Sequence, residues 1–138
     1  MRRTYDLEDR LLQFAADTCR VAEQMPASRT GNHICSQLIR CGTSPSANYA
    51  EARGSESRRD FVHKLKLCLK ELRESLAWLR LVAVLDLRPP AQLEAVLEEA
   101  NELISIMVVS VRTAKARGMP RGMPGISNAR NIEYRSDS

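Results

Sequence analysis

Two glutamates one turn apart, Glu71 and Glu74, are the residues of this chain most suited to proton chemistry. A catalytic pair, however, needs a nucleophile or a second carboxylate pair converging on it, and the sequence supplies neither. A carboxylate-bridged di-iron site in a helical bundle needs a Glu-x-x-His on each of two helices. The only histidines are His33 and His63, and neither lies three residues after a glutamate. Cys19, Cys35, Cys41 and Cys68 fall inside helical patterns at spacings unlike C-x-x-C, which predicts reduced, half-buried thiols and neither zinc nor disulfides. The expectation is therefore a protein without a cofactor or metal, and not an enzyme. Glu71 and Glu74 are expected to serve as charged partners for an arginine or asparagine on another helix or subunit, or for Lys70, which is spaced to pair with Glu74.

The basic side chains point elsewhere. The net charge of +4 arises entirely from Arg112 onward, because residues 1–111 carry 15 basic and 15 acidic side chains. Within that neutral body the charge separates. Residues 40–80 hold 9 basic against 5 acidic side chains, whereas residues 81–111 hold Arg88 against Asp86, Glu94, Glu98, Glu99 and Glu102. Such separation suits head-to-tail self-association or a polyanion on the basic side. Arg53, Arg58 and Arg59 surround one turn, and Lys66, Lys70, Arg73 and Arg80 continue along a helix edge. Arg112, Lys115, Arg117 and Arg121 add to them from the C-terminal part. Together these are the candidate nucleic-acid-binding residues, suited to sequence-independent phosphate contact. No helix-turn-helix, RNP or zinc-finger signature accompanies them, so base-specific readout is not expected.

Four amphipathic segments must position these side chains. The first, Leu7 to Met25, repeats apolar residues at i, i+3, i+4, with Asp6 placed to cap it and Pro26 closing it. Residues 27–31 read as a polar turn. The second segment starts near Asn32 and carries Ile34, Leu38, Cys41, Asn48 and Ala52 on one side. Its middle, Cys41-Gly42-Thr43-Ser44-Pro45, disfavours a helix. The surviving apolar phase predicts one helix kinked at Pro45 over two short ones. Gly54 is expected to end it as a left-handed C′ glycine, and Ser57 to cap the next helix.

That third helix, Ser57 to Leu85, is the centre of the chain. Phe61, Leu65, Cys68, Leu72, Leu76, Leu79 and Ala83 fall on one stripe at 100° per residue. About 180° away stand Leu67, Glu71, Glu74, Trp78, Leu81 and Leu85, where an isolated bundle should be polar. The lone tryptophan on that face, flanked by leucines, predicts an oligomer interface anchored by Trp78, with packing inside the bundle as the alternative. Arg88-Pro89-Pro90 turns the chain. Gln92 to Lys115 forms the last helix, with Leu93, Val96, Leu97, Ala100, Leu103, Ile104, Met107, Val111 and Ala114 on its core stripe. Acidic residues load its N-terminal half and Arg112 and Lys115 its last turn, as the helix dipole favours.

At 138 residues the chain is long enough for one domain with a real core. The expected fold is all-α: an antiparallel up-down-up-down four-helix bundle over residues 1–117. Beyond it, Arg117-Gly-Met-Pro120 is repeated at once as Arg121-Gly-Met-Pro124, and residues 118–138 read as a flexible basic tail. No apolar run of 18 residues spans a membrane and no h-region follows Arg2-Arg3, so a cytoplasmic, non-membrane protein is expected.

Three passages resemble one family in order. Ser44-Pro45-Ser46-Ala47-Asn48-Tyr49-Ala50-Glu51-Ala52-Arg53-Gly54 is similar to the S-I-x-x-N-I-A-E-G signature of small bacterial four-helix-bundle proteins encoded by intervening sequences within 23S rRNA genes. Leu69-Lys70-Glu71-Leu72-Arg73-Glu74-Ser75 with Trp78-Leu79 resembles the family's third helix, A-L-K-E-x-x-E-x-x-x-W-L. Glu102-Leu103-Ile104 through Val109 to Lys115 resembles its last. Two departures stand out: Tyr49 replaces an apolar Ile, and Ala52-Arg53 stretches the A-E-G step. The repeated RGMP has no counterpart in the family. The resemblance implies a four-helix bundle assembling into a homopentameric ring. It also implies kinship with the accessory variability determinant (Avd) of diversity-generating retroelements, a basic pentamer that binds RNA and a reverse transcriptase. No catalytic activity or cofactor comes with it. The function expected is thus a non-enzymatic oligomeric RNA-binding scaffold, with RNA and a reverse transcriptase as partners. The alternative is a homo-oligomeric protein adaptor without nucleic acid.

Overall fold

The computed structural model describes residues 7–117. It contains four helices, α1 (Leu7–Glu23), α2 (Arg29–Arg53), α3 (Arg58–Val84) and α4 (Pro90–Arg117), and no strand among the described residues. Consecutive helices pack together, and α1 also packs on α4, which closes a four-helix bundle. Glu8 meets Arg53 and Thr18 meets Gly42, so α1 and α2 run in opposite directions. Lys64 with Glu51 and Arg40 with Glu74 show the same for α2 and α3. Asp6 and residues 118–138, with Arg121 and the second RGMP, lie outside the described residues.

The core follows a seven-residue repeat. Leu7, Leu11, Phe14, Thr18 and Val21 of α1 are buried at alternating steps of four and three. Leu65, Cys68, Leu72, Ser75, Leu79 and Val82 of α3, and Leu93, Val96, Ala100, Leu103, Met107, Ser110 and Ala114 of α4, do the same. Steps averaging 3.5 residues are the seam of helices that wrap around one another. Several expectations fail for this reason. At 100° per residue the stripe drifts about 20° per heptad from a 3.5 repeat, so Leu76 is only half-buried and Ala83 exposed, while Ser75 and Val82 occupy the seam. On α4, Leu97, Ile104 and Val111 flank the seam, half-buried. The two seam serines avoid an unsatisfied hydroxyl by donating one turn back, Ser75 Oγ to Glu71 O at 2.8 Å and Ser110 Oγ to Ile106 O at 2.9 Å.

Helix α2 is a single helix that continues through Pro45, which is buried. Its core positions run Gly31, Ile34, Leu38, Cys41, Pro45 and then step by four to Tyr49 before Ala52. Tyr49, not the expected Asn48, therefore faces the core. Proline cannot donate to the carbonyl one turn back, and hydroxyls cluster beside it: Thr43 Oγ1 donates to Ile39 O at 2.6 Å and Ser44 Oγ to Arg40 O at 2.7 Å. Gly42 lets α1 approach, because a β-carbon there would stand 2.4 Å from Thr18 Cγ2.

The caps refine the boundaries. Ser28 caps α2, its Oγ accepting from Gly31 N at 2.9 Å, so the helix begins three residues before Asn32 and residues 29–31 are helical, not turn. Ser57 caps α3 as expected, accepting from Asp60 N at 3.0 Å. Gly54 follows α2 at φ −95°, outside the left-handed region anticipated for it. The left-handed residue is instead Asp86, at φ 58° after α3. Its N–H reaches Ala83 O at 3.0 Å and that of Leu87 reaches Val82 O at 3.0 Å, the paired bonds of a Schellman motif. Pro90 then opens α4 at the position where its missing N–H costs nothing. Helix α1 ends at Glu23, before Met25.

No helix among the described residues is long and apolar enough to cross a membrane.

Candidate nucleic-acid interface

Helix α3 lies between α2 and α4, so it buries an arc wider than one stripe, and its two flanks carry different chemistry. The flank toward α2 holds the carboxylates. Arg40 of α2 reaches across to Glu71 Oε1 at 3.1 Å and to Glu74 Oε2, and also contacts Gln37 Oε1. Trp78 Nε1 donates to Glu74 Oε2 at 3.2 Å. The Trp78 ring meets His33 edge-on at 5.5 Å between centroids. Hydrogen bonding to Glu74 holds the Arg40 guanidinium above its ordinary value. Lys70 takes no part, although its spacing allowed it; Arg40 offers a planar fork that a lysine lacks. Leu67, Glu71, Glu74, Trp78 and Leu81 are half-buried, and Trp78 and Leu81 pack against the core. Leu85, at the end of that row, is exposed. The apparent second face of α3 is thus in good part its contact with α2 of the same chain.

The flank toward α4 is basic. Arg59, Lys66, Arg73 and Arg80 recur every seven residues and are all exposed. They form a row about 30 Å long, given 1.5 Å per residue. Lys70 is exposed beside it. Among the described residues, none of these five cations forms an ion pair. Elsewhere cations are neutralised within the fold. Arg10 holds Glu99 at 2.7 Å and Glu102 at 2.9 Å, and the hydrogen bond to Glu99 raises its guanidinium further despite partial burial. Lys64 takes Glu51 at 2.6 Å, and Arg53 takes Glu8 at 2.8 Å. Arg53 therefore stands apart from the row with which its place in the sequence had grouped it.

Near the N-terminus of α3 the row opens into a groove of about 450 Å³. Arg58, Arg59, Val62, His63 and Lys66 line it from α3, and Ala114 and Lys115 from α4. Among the described residues, its charged lining is entirely basic. Arg58 places its guanidinium carbon over the Phe61 ring, 5.0 Å from the centroid. Arg112, one turn before Lys115, is exposed, and Arg117 is half-buried at the end of α4. Convergence of α3 residues near position 60 with an α4 residue more than fifty positions later is a product of packing. In the sequence, His63 suggests only a metal ligand. Its spacing, four after Arg59 and three before Lys66, was the available sign that it shares their side.

Candidate metal chemistry finds no arrangement: among the described residues, no group of three or more His, Cys, Asp or Glu side chains could hold an ion. All four cysteines are free, but only Cys19 and Cys35 are half-buried as expected. Cys41 and Cys68 are fully enclosed because they sit on the seam of α2 and α3. Burial pushes the Cys41 thiol up and that of Cys68 up to about 12.

Comparison with known proteins agrees with this architecture. A crystal structure at 1.70 Å of a protein with unknown function from the S23 ribosomal protein family of Bacteroides thetaiotaomicron VPI-5482 superposes with a TM-score of 0.72 at 27% identity, covering 77% of this chain and 98% of that one. No curated protein matches the sequence. Residues 4–109 match the family described as 23S rRNA-intervening sequence protein. With most of the bundle inside that match, the chain belongs to the 23S rRNA-intervening sequence protein family.

Proposed function

We propose that this protein is a non-enzymatic scaffold that binds structured RNA through phosphate contacts along the α3–α4 flank. The observation that carries the reading is the exposed row Arg59, Lys66, Arg73 and Arg80, which no described carboxylate neutralises, opening into a groove completed by Lys115. Cations paired with carboxylates contribute little to phosphate binding, whereas exposed unpaired ones release counterions on contact. Filter binding of a structured RNA across a salt series tests it. Affinity should fall steeply with salt, and charge reversal at Lys66, Lys70 and Arg73 should both weaken binding and flatten the salt slope by about 0.7–0.9 per lost contact. Binding indifferent to salt, or none, overturns it.

The finer reading places the protein as an accessory to the reverse transcriptase of a diversity-generating retroelement, in the manner of Avd. The signature passages around Asn48, Glu71 and Trp78 support it. A reverse-transcriptase gene with template and variable repeats beside this gene is the expected finding; an interrupted 23S rRNA gene favours the other branch.

A second reading, self-association or a protein adaptor, is favoured by the apolar end of α3. Val84 is 80% exposed and Leu85 43% exposed, next to half-buried Leu81. We read this end as part of a subunit contact in a homo-oligomer, a pentamer by family resemblance. Light scattering tests it, and a monomer at high concentration overturns it.

A further inference from the structure

The RNA reading leaves open whether the bound strand is paired, and one pair of residues bears on that. Arg58 and Phe61 lie one turn apart at the start of α3. Phe61 is half-buried and packed against the core, so its ring is held in place from below. The Arg58 guanidinium lies over it, and Arg58 is among the residues that line the basic groove. A planar cation resting on an anchored ring costs little further ordering when something flat settles on it. Nucleobases are such partners, and stacking on an aromatic or guanidinium plane is tolerant of sequence.

The geometry points to a groove for unpaired nucleotides, and we propose that it takes single-stranded or loop RNA, one base stacking on the Arg58–Phe61 platform. The flanking phosphates are then met by Lys66 and Lys115 across the groove and by Arg59 at its edge. The proposal rests on the RNA reading above and narrows it. In a duplex each base face is already covered by its neighbours, so only a base free of the stack can use the platform. Cations alone would accept duplex, single strand or inorganic polyanion alike. A cationic groove combined with a stacking plane is the arrangement that separates them.

The test uses the full-length protein and three probes at one ionic strength: a labelled 20-nucleotide single-stranded RNA, the same strand annealed to its complement, and inorganic polyphosphate. Single strand should bind about tenfold more tightly than duplex, the loss expected when one stacked base is forgone. Arg58→Lys keeps the charge and removes the plane. It should lower single-strand affinity about five- to tenfold while leaving polyphosphate within about twofold. Phe61→Leu, which keeps an apolar side chain against the core, should reproduce the selective loss. Duplex binding as tight as single strand overturns the proposal while the RNA reading stands. So does an Arg58→Lys protein that loses polyphosphate and RNA in equal measure, or loses neither. Failure of the wild-type protein to bind any of the three overturns both.

Discussion

Gly42 of α2 and Thr18 of α1 meet so closely that a β-carbon on residue 42 would stand 2.8 Å from Thr18 Cβ as well as 2.4 Å from its Cγ2. This contact explains a glycine in the middle of a 25-residue helix, where glycine costs helix stability. Gly42→Ala should therefore destabilise despite its better helix propensity, by about 1–3 kcal/mol from overpacking. Urea titration followed by circular dichroism measures it. Thr18→Ala in the same chain removes the opposing methyl but keeps the β-carbon 2.8 Å away, so it should recover only part of the loss; an additive double variant would show that the two do not share the contact.

Thr18 carries a second cost. Its Oγ1 is buried and has no hydrogen-bond partner among the described residues. Thr18→Val replaces the hydroxyl with a methyl of similar shape and should stabilise by about 1 kcal/mol, as removal of an unsatisfied buried polar atom does. A lower unfolding midpoint would refute it.

Asp86 holds the left-handed position of the turn after α3. That conformation costs a side chain on the order of 1 kcal/mol that glycine avoids. Asp86→Gly should raise stability by up to about that amount, less the entropy glycine adds to the unfolded chain. Thermal melts of the two proteins under one buffer decide the sign.

The thiols predict a difference in reactivity and a pH dependence. Under native conditions at pH 8, a thiol reagent should reach Cys19 and Cys35 and spare Cys41 and Cys68 until the protein unfolds. The Cys68 thiol ionises near 12 in the folded chain against an ordinary value of 9.0. Folding thus favours its protonated form. The resulting stabilisation is complete below about pH 9 and declines as pH rises toward about 12. The urea midpoint should fall across that window, and Cys68→Ala should flatten the fall while lowering overall stability.

Trp78 reports on the α2–α3 contact. Glu74→Ala removes the acceptor of Trp78 Nε1 and one partner of Arg40. Because Arg40 is 48% exposed, the ion pair itself should contribute no more than about 1 kcal/mol. The clearer signal is fluorescence: emission should shift to the red as the indole loses its neighbour. An unchanged spectrum would place the tryptophan's environment elsewhere.

The sequence by itself determined the four helices, because apolar periodicity, the Ser57 cap and the Arg88-Pro89-Pro90 break are local properties of the chain. It also determined that Leu65, Leu72, Leu79, Leu93 and Leu103 would be core, since each lies near the centre of its stripe. At the stripe edges it failed. A 20° drift per heptad is invisible in one turn and, after three, exchanges Leu76 for Ser75 and Ala83 for Val82. Which charges are neutralised was decided only by packing. Arg53 and Arg59 look alike in the chain, yet α1 brings Glu8 to the first and no described residue brings a carboxylate to the second. The carboxylates Glu71 and Glu74, first suited to proton chemistry, are held by Arg40 because α2 lies along that side of α3. The groove itself exists because Lys115 on α4 is carried to Arg58 and Lys66, and a helix pair settles that contact, not spacing along either helix.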